Sequence, residues 1–286
     1  MIQDNFCAFI LTHGRPDRVY TYNLLHKTGY TGRIVIVIDN EDPKQQEYRD
    51  RFGDQVYVFD KQAVANSIDE GDNFNDRRAI IYARNACWDI ARELGIEYFI
   101  QLDDDYTEFR HRKNHRGEYI TGSVKEIEDF DSVITALLRY YKSIPALAIA
   151  MAQGGDYIGG VDGGSYEKPK RKCMNSFVCS VNRPFRFFGR INEDVNTYTN
   201  LGSRGGLFLT IMSISLQQKQ TQSNSGGMTD LYLDSGTYVK SFYSVMYQPS
   251  SVRVSILNTL HPRIHHRVSW RYTVPCILGP EHKQTI

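Results

Sequence analysis

At 286 residues with 41% hydrophobic content, the chain is long enough for one large α/β domain or two small ones, and is expected to fold as one unit. Lys+Arg 34 against Asp+Glu 33 leaves a formal net charge of +1, so strong global capture of nucleic acid or anionic membrane is excluded and any such binding must rest on local patches. The five scattered cysteines (Cys7, Cys87, Cys173, Cys179, Cys276) lack a Cys-x-x-Cys pair, which argues against a disulfide framework or zinc site and for a reducing cytoplasm.

Phe6 to Leu11 is an unbroken apolar run, as a strand buried on both faces requires, and it breaks into Thr12-His13-Gly14-Arg15-Pro16. Arg18 to Lys27 reads as a helix stopped by Gly29. Arg33 to Ile38 is a second buried strand, ending in Asp39 and followed by an acidic-basic helix through Arg51. Val56 to Phe59 is a third, ending in Asp60-Lys61. Ala79 to Leu94 has helical apolar spacing and stops at Gly95, before the strand Tyr98 to Leu102. Strand and helix alternate, which predicts a parallel, doubly wound sheet whose ligands bind beyond the strands' carboxyl ends. Thr12, His13, Arg15, Asp39, Asp60 and Lys61 all fall there. Each alone could be an ordinary cap or loop residue; their shared location is the argument. The first turn lacks Gly-x-Gly-x-x-Gly, so this is not the dinucleotide-binding version of the sheet, nor is it a Walker P-loop.

The strand from Tyr98 runs into Asp103-Asp104-Asp105, three consecutive carboxylates that are costly unless a cation binds. On an extended chain Asp103 and Asp105 share a face and Asp104 takes the other. Two hard oxygen donors at a strand's end suit Mg²⁺ or Mn²⁺, which can bridge nucleotide phosphates; an exposed acidic turn is the plainer reading of the triplet alone.

From Tyr106 to Tyr119 the chain turns polar and basic, and the stretch with Arg112, Lys113, His115 and Arg116 reads as a hairpin or loop. Phe130 to Tyr141 is a helix and Ala146 to Met151 a buried strand running into Gly154-Gly155 and Gly159-Gly160, where a sugar could approach the backbone. The longest apolar run, Ile144 to Ala152, is far short of the ~20 residues of a spanning helix, and no membrane partner is expected. Lys168 to Lys172, with Lys170 and Arg171, is the densest positive stretch: a phosphate contact or a solvated loop. Glu193 and Asp194 follow an apolar, glycine-containing turn where a carboxylate held partly out of water gains basicity, and Asn192 can cap a helix there. Gly202 to Gly206 opens the apolar run Leu207 to Ile214, and the Gln/Ser/Asn-rich Gln217 to Gly227 reads as a mobile lid. Finally Arg263, His265, His266 and Arg267 gather where two arginines make a diphosphate clamp and one histidine can complete a metal's coordination.

Thr-His-Gly-Arg-Pro after the first strand, Arg84-Asn85 before Leu-Asp-Asp-Asp, a later Asn-Glu-Asp and a C-terminal His-His-Arg together resemble a GT-A fold, nucleotide-sugar-dependent glycosyltransferase over nearly the whole chain. More narrowly, Ala83-Arg84-Asn85-Ala86-Cys87-Trp88, Gly226-Gly227-Met228-Thr229-Asp230 and Ile264-His265-His266-Arg267-Val268-Ser269-Trp270 resemble the TET/JBP-associated glycosyltransferases of bacteriophages, understood to attach sugars to 5-hydroxymethylated pyrimidines in DNA. The resemblance implies an α/β fold of GT-A type, Rossmann-like with a mostly parallel central sheet flanked by helices and an acceptor-side α+β subregion. It divides the single domain into a nucleotide-binding half, 1–105, and an acceptor half, 106–286. It implies a UDP-sugar donor, UDP-glucose or a relative, and Mn²⁺ or Mg²⁺. Thr12, His13, Arg15, Asp39, Lys61, Arg84, Asn85, Asp103, Asp104, Arg263 and Arg267 would then hold the nucleotide sugar; Asp103 and Asp105, with His265 or His266, would hold the metal. Glu193 and Asp194 are the candidate catalytic carboxylates, with Asp194 as base if the reaction inverts configuration. Arg112, Lys113, Arg116, Lys170, Arg171 and Lys172 would contact a DNA acceptor. A GT-A enzyme acting on a glycan, lipid or protein hydroxyl and a binding module without turnover are the alternatives.

Overall fold

The apolar runs read from the sequence pair into an eight-stranded sheet in the computed structural model, which describes residues 5–71, 77–114, 116–120, 125–157, 170–219, 239–257 and 262–275. β1 (Phe6–Leu11), β2 (Arg33–Asp39), β3 (Val56–Phe59) and β4 (Tyr98–Asp103) are parallel, in the order β3-β2-β1-β4. The sheet continues from β4 through β7 (Phe177–Ser180), β6 (Ala146–Ala152) and β8 (Leu207–Gln218) to β5 (Tyr106–His111). β7 opposes both β4 and β6, β5 opposes β8, and β6 and β8 are parallel, so six of the eight strands point the same way. This is the mostly parallel central sheet expected from the alternation of strand and helix.

Both faces are covered, which is why β1 could be read as a continuous apolar run: none of its residues is more than 2% exposed. Successive side chains alternate between two cores. On one face α1 (Tyr20–Lys27), α2 (Gln45–Phe52) and α5 (Phe130–Ser143) set Leu24, Tyr48, Phe52 and Leu138 against Ala8, Ile10, Ile36 and Ile100. On the other, α4 (Ile81–Glu93) and α6 (Glu193–Ser203) set Ile81, Trp88 and Tyr198 against Cys7, Phe9, Val37 and Phe99. A short α3 (Lys61–Ala65) is capped by Asp60, whose side chain accepts from the Ala63 amide. Gly29 and Gly95, read as helix stops, both have positive φ, +76° and +69°. Cys7, Cys87, Cys173 and Cys179 are free and buried.

Part of the second half departs from expectation. Tyr106 to His111, to which the sequence assigned no element, is the edge strand β5; a register shift between Tyr106 and Glu108 lets it bury Tyr106 and Phe109 and hides the alternation that marks a strand. The basic stretch after it does form a hairpin, with Lys113 bridged to Tyr119. Gly202 belongs to the last turn of α6 rather than opening β8. Of the expected lid, Gln217 and Gln218 lie in β8, and from position 220 on it lies outside the described residues, as do Gly226 to Asp230, Lys168, Pro169, His115 and Cys276. Residues 239–247 are helical, and β9 (Val252–Leu257) pairs antiparallel with β10 (Arg263–Val268) as a separate two-stranded ribbon. No helix among the described residues is long and apolar enough to cross a membrane.

The loop before α6 is pinned to α4. Phe185 and Phe187 pack on Trp88 with ring centroids at 4.7 and 6.1 Å. Asn85 spends its amide on the same loop, accepting from the Phe187 amide at 2.9 Å and donating to the Phe187 carbonyl at 3.0 Å. At Gly189, φ is +78° and a Cβ would lie 2.3 Å from Asn196 Nδ2 and 2.5 Å from the Tyr247 ring. Gly189→Ala is therefore expected to destabilise the chain by more than about 1 kcal/mol, read as a lower urea midpoint with unchanged slope.

Candidate active site

Because six strands share one direction, their carboxyl ends bring Thr12, Asp39, Asp60, Asp103, Gln153 and Gln218 to a single edge of the sheet. Two polar networks and a cleft lie along it.

Beyond β1 and β2, His13 Nδ1 lies 2.7 Å from Asp39 Oδ2 and 3.6 Å from Asp42, and Lys61 Nζ lies 3.4 Å from Asp39 Oδ1. Burial opposes the Asp39 charge, but the His13 hydrogen bond and the Lys61 ammonium more than offset it and hold the carboxyl below its usual range. Lys61 is itself buried over the Tyr82 ring, while His13 is half exposed. Asp42, almost fully buried, accepts from the Gly14 amide at 2.7 Å and so shapes the turn after β1.

The acidic triplet forms the second network. β4 ends at Asp103 and residues 104–105 form a turn, so the alternation expected of an extended chain does not apply to them. Asp104 is the most deeply held: its Oδ2 accepts from Thr12 Oγ1 at 2.6 Å and lies 3.1 Å from Arg15 Nη2. Thr12 also meets the Tyr48 hydroxyl, which in turn accepts from the Arg15 amide. Asp103 Oδ1 accepts from Arg84 Nη2 at 3.0 Å, and Arg84 Nε donates to Glu193 Oε1 at 3.0 Å. Among the described residues Asp105 Oδ1 is buried without a hydrogen-bond partner, as are Arg15 Nε and Arg84 Nη1. Burial raises all three carboxyls. Asp104 is pushed up to about 6, against the pull of Arg15 and Thr12, and Asp105 to about 7, where burial is reinforced by Asp103 and Asp104.

No group of three or more His, Cys, Asp or Glu side chains is poised for a metal among the described residues. A Mg²⁺- or Mn²⁺-nucleotide site does not need one, since one or two carboxylates suffice when phosphates and water complete the shell. The orphaned, buried Asp105 oxygen beside two further carboxylates fits such an open site.

Arg84 is engaged with the site's own carboxylates. It is 2% exposed, sandwiched on the Phe177 and Phe187 rings at 4.8 and 5.9 Å, and orients Asp103 and Glu193. Burial works against its charge, but Asp103 and Glu193 more than offset it and hold the guanidinium above its ordinary value. Asn85 is fully buried and committed to Phe187.

Glu193 and Asp194 open α6. Asp194 is 9% exposed, its Oδ1 accepts from the Val195 amide at 2.7 Å, and burial raises both carboxyls. Asn192 occupies the cap position in the left-handed region, φ +56°, but makes no cap bond. Its amide instead donates to the Lys240 carbonyl at 2.8 Å and Ser244 Oγ at 3.2 Å and lies 3.4 Å from His266 Nδ1. The C-terminal ribbon meets the Asn-Glu-Asp segment through His266. Burial, then the adjacent His265, Lys240 and Lys172, pushes His266 down to about 3, so its ring is neutral with a lone pair to offer. The His265 ring is 4.3 Å away. Arg267 is exposed on the ribbon rather than turned to the triplet, and the side chain of Arg263 lies outside the described set.

Three of the six cations expected at DNA, Lys170, Lys172 and Arg112, are engaged within the protein. Lys172 Nζ lies 2.5 Å and Lys170 Nζ 3.4 Å from Oδ1 of the buried Asp156. Arg112 lies on the Tyr157 ring at 4.5 Å and donates to Ser215 Oγ. Lys113 is half-buried; Arg116 and Arg171 are exposed. A cleft lined by Gln153, Gly154, Gly155, Leu216, Gln217 and Gln218 opens at the ends of β6 and β8. It touches the glycine pair singled out in the sequence.

Sequence reasoning missed Tyr48, Asp42 and Asp156. Tyr48 and Phe52 are spaced i, i+4 in α2, a signal obscured by the charged residues around them. Asp156 carries no local signal at all, because the lysines that satisfy it are 14 and 16 residues away.

The family model for TET-Associated Glycosyltransferase matches residues 6–227. No curated protein matches the chain. Among solved structures, glucosyl-3-phosphoglycerate synthase from Mycobacterium tuberculosis, in complex with Mn²⁺, uridine-diphosphate and phosphoglyceric acid, is similar over 93% of this chain and 87% of that one, at 7% identity and a TM-score of 0.45. That likeness is too distant to transfer residue roles. The family match runs from β1 through β8, and on it the chain belongs to the TET-associated glycosyltransferase family and is a nucleotide-sugar-dependent glycosyltransferase.

Proposed function

We propose that the chain moves a sugar from a UDP-sugar, UDP-glucose or a relative, to the hydroxyl of 5-hydroxymethylated pyrimidines in DNA, with Mn²⁺ or Mg²⁺ bound at Asp103 and Asp105. The observation that carries the donor half is the meeting, at one sheet edge, of an unpartnered carboxylate oxygen on Asp105 with an unpartnered Nε on Arg15. A buried acceptor asks for a cation and a buried donor for an anion, and a metal-nucleotide diphosphate is both. The DNA half is supported by the family and by the sequence phrases that resemble it.

His13, Asp39 and Lys61 line the nucleoside end. Arg15 orients the diphosphate, and the cleft at Gly154 and Gly155 receives the sugar. The metal, when bound, offsets charge on the departing diphosphate. Asp194 is the base: its Oδ1 is fixed by the Val195 amide, leaving Oδ2 to take the proton of the acceptor hydroxyl as that oxygen attacks the anomeric carbon and the bond to the diphosphate breaks. Its burial raises its basicity, and Glu193 is held back from this role by Arg84.

The test is transfer of radiolabelled sugar from a panel of nucleotide sugars, with Mn²⁺, onto duplexes containing cytosine, 5-hydroxymethylcytosine or 5-hydroxymethyluracil. Label is expected on a hydroxymethylated duplex alone; donor hydrolysis with no label on any DNA overturns the acceptor assignment.

The two carboxylate roles separate in variants. Asp105→Asn is expected to abolish both transfer and metal-dependent donor hydrolysis, whereas Asp194→Asn lowers transfer by about 10²–10⁴-fold and spares slow hydrolysis. Equal loss of both reactions in Asp194→Asn would show that it is not the base.

A further inference from the structure

A DNA acceptor needs cations that are not spent inside the protein. Lys170 and Lys172 are held by Asp156, and Arg112 by Tyr157 and Ser215. The β9–β10 ribbon carries a different set. Its register puts Arg253 directly opposite Arg267. Alternate residues of a ribbon share a face, so Arg253, Ser255, His265 and Arg267 lie on one side and Val252, Val254, His266 and Val268 on the other. Val252 is fully buried, Val268 packs on the core and His266 meets Asn192, so over these residues the second side lies against the body, while Ile256 farther along it is 68% exposed; Arg253 and Arg267, opposite the buried end, look outward.

Arg253 and Arg267 are both exposed, and neither has an ion-pair partner among the described residues. Like charges directly opposite each other on a ribbon are destabilising, and an exposed position accepts any polar residue without that cost. An anion lying across the pair reverses the sign. Immediately downstream Arg271 and Tyr272 are exposed, Tyr272 to 48%, and Arg171 packs over the Trp270 ring at 5.9 Å. The cations therefore extend past the end of the ribbon.

We propose that the outward face of the β9–β10 ribbon, through Arg253 and Arg267, is the surface that docks double-stranded DNA by its backbone phosphates. This rests on the DNA-acceptor reading and adds to it the element that holds the acceptor. A two-stranded ribbon is of a size to enter the major groove, where the 5-hydroxymethyl group of a pyrimidine projects. The ribbon's inner face already touches Asn192, two residues before Asp194. One element thus carries the duplex contacts outside and meets the segment that bears Asp194 inside.

The experiment is fluorescence anisotropy of a labelled 5-hydroxymethylcytosine duplex over a salt series, with the full chain, Arg253→Gln, the Arg253→Gln/Arg267→Gln double variant and the Arg253→Lys/Arg267→Lys double variant. The Gln pair is expected to weaken binding about tenfold and to flatten the plot of log affinity against log salt by about 2, for two phosphates released. The Lys pair keeps the slope. Thermal midpoints of the Gln variants are expected not to fall, since a repulsion is removed, and Arg253→Gln hydrolyses donor at the parent rate. Unchanged affinity and slope in the Gln pair overturn the proposal, and a parent that binds no duplex overturns it together with the DNA acceptor. Arginine-dependent binding without sugar transfer to DNA upholds the ribbon and sinks the acceptor assignment alone.

Discussion

The buried guanidinium of Arg84 is what ties the site together. It sits on α4, under the sheet edge, and pairs at once with Asp103 at the end of β4 and Glu193 at the start of α6. A charge so deep is tolerable only because two carboxylates and two aromatic faces replace its water, and removing one partner of such a pair costs about 3–5 kcal/mol. The consequence is geometric. The acidic turn, contributed by the first half of the chain, and the Asn-Glu-Asp segment, contributed by the second, cannot move independently while Arg84 holds both.

Around that fixed point the charges do not balance. Asp103, Asp104, Asp105, Glu193 and Asp194 are all pushed towards their protonated forms, burial being the first cause in each. Arg84 and Arg15 answer part of this, and each keeps one buried nitrogen without a partner among the described residues. A protein selected for stability alone would neutralise these groups with hydrophobic residues of similar volume. Retaining unmatched acceptors and donors side by side is the arrangement of a site that expects a ligand carrying both signs.

The parallel half was legible because its physics is local. A strand covered on both faces must be apolar throughout, so β1 to β4 could be read almost to the residue, and the caps and glycines placed α1 and α4 within a turn. The polar residues after each strand were legible as a group for the same reason, since parallel strands deliver their ends to one edge. What was not legible depended on distance. The contacts of Arg84 and Asn85 with Glu193 and Phe187 could not be read, because those partners lie more than a hundred residues away in sequence. β5 was hidden by its register shift, and β7, no shorter than β3, falls outside the strand–helix alternation because it runs antiparallel between β4 and β6.

The same distance explains why the sequence does not say which cations of the basic stretches face outward. A run such as Lys170-Arg171-Lys172 carries no mark that says whether its charges face solvent, and here two of the three turn inward to Asp156 while Arg171 lies out over Trp270. The C-terminal His-His-Arg phrase is the reverse case. On a ribbon its odd and even members must part, so His266 reaches Asn192 while Arg267 goes to the other face. With a net charge of only +1 there is no diffuse field to draw in a polyanion. Any acceptor of that kind must be found by a few cations held outward by the fold, and on this chain the period of a β-strand decides which ones those are.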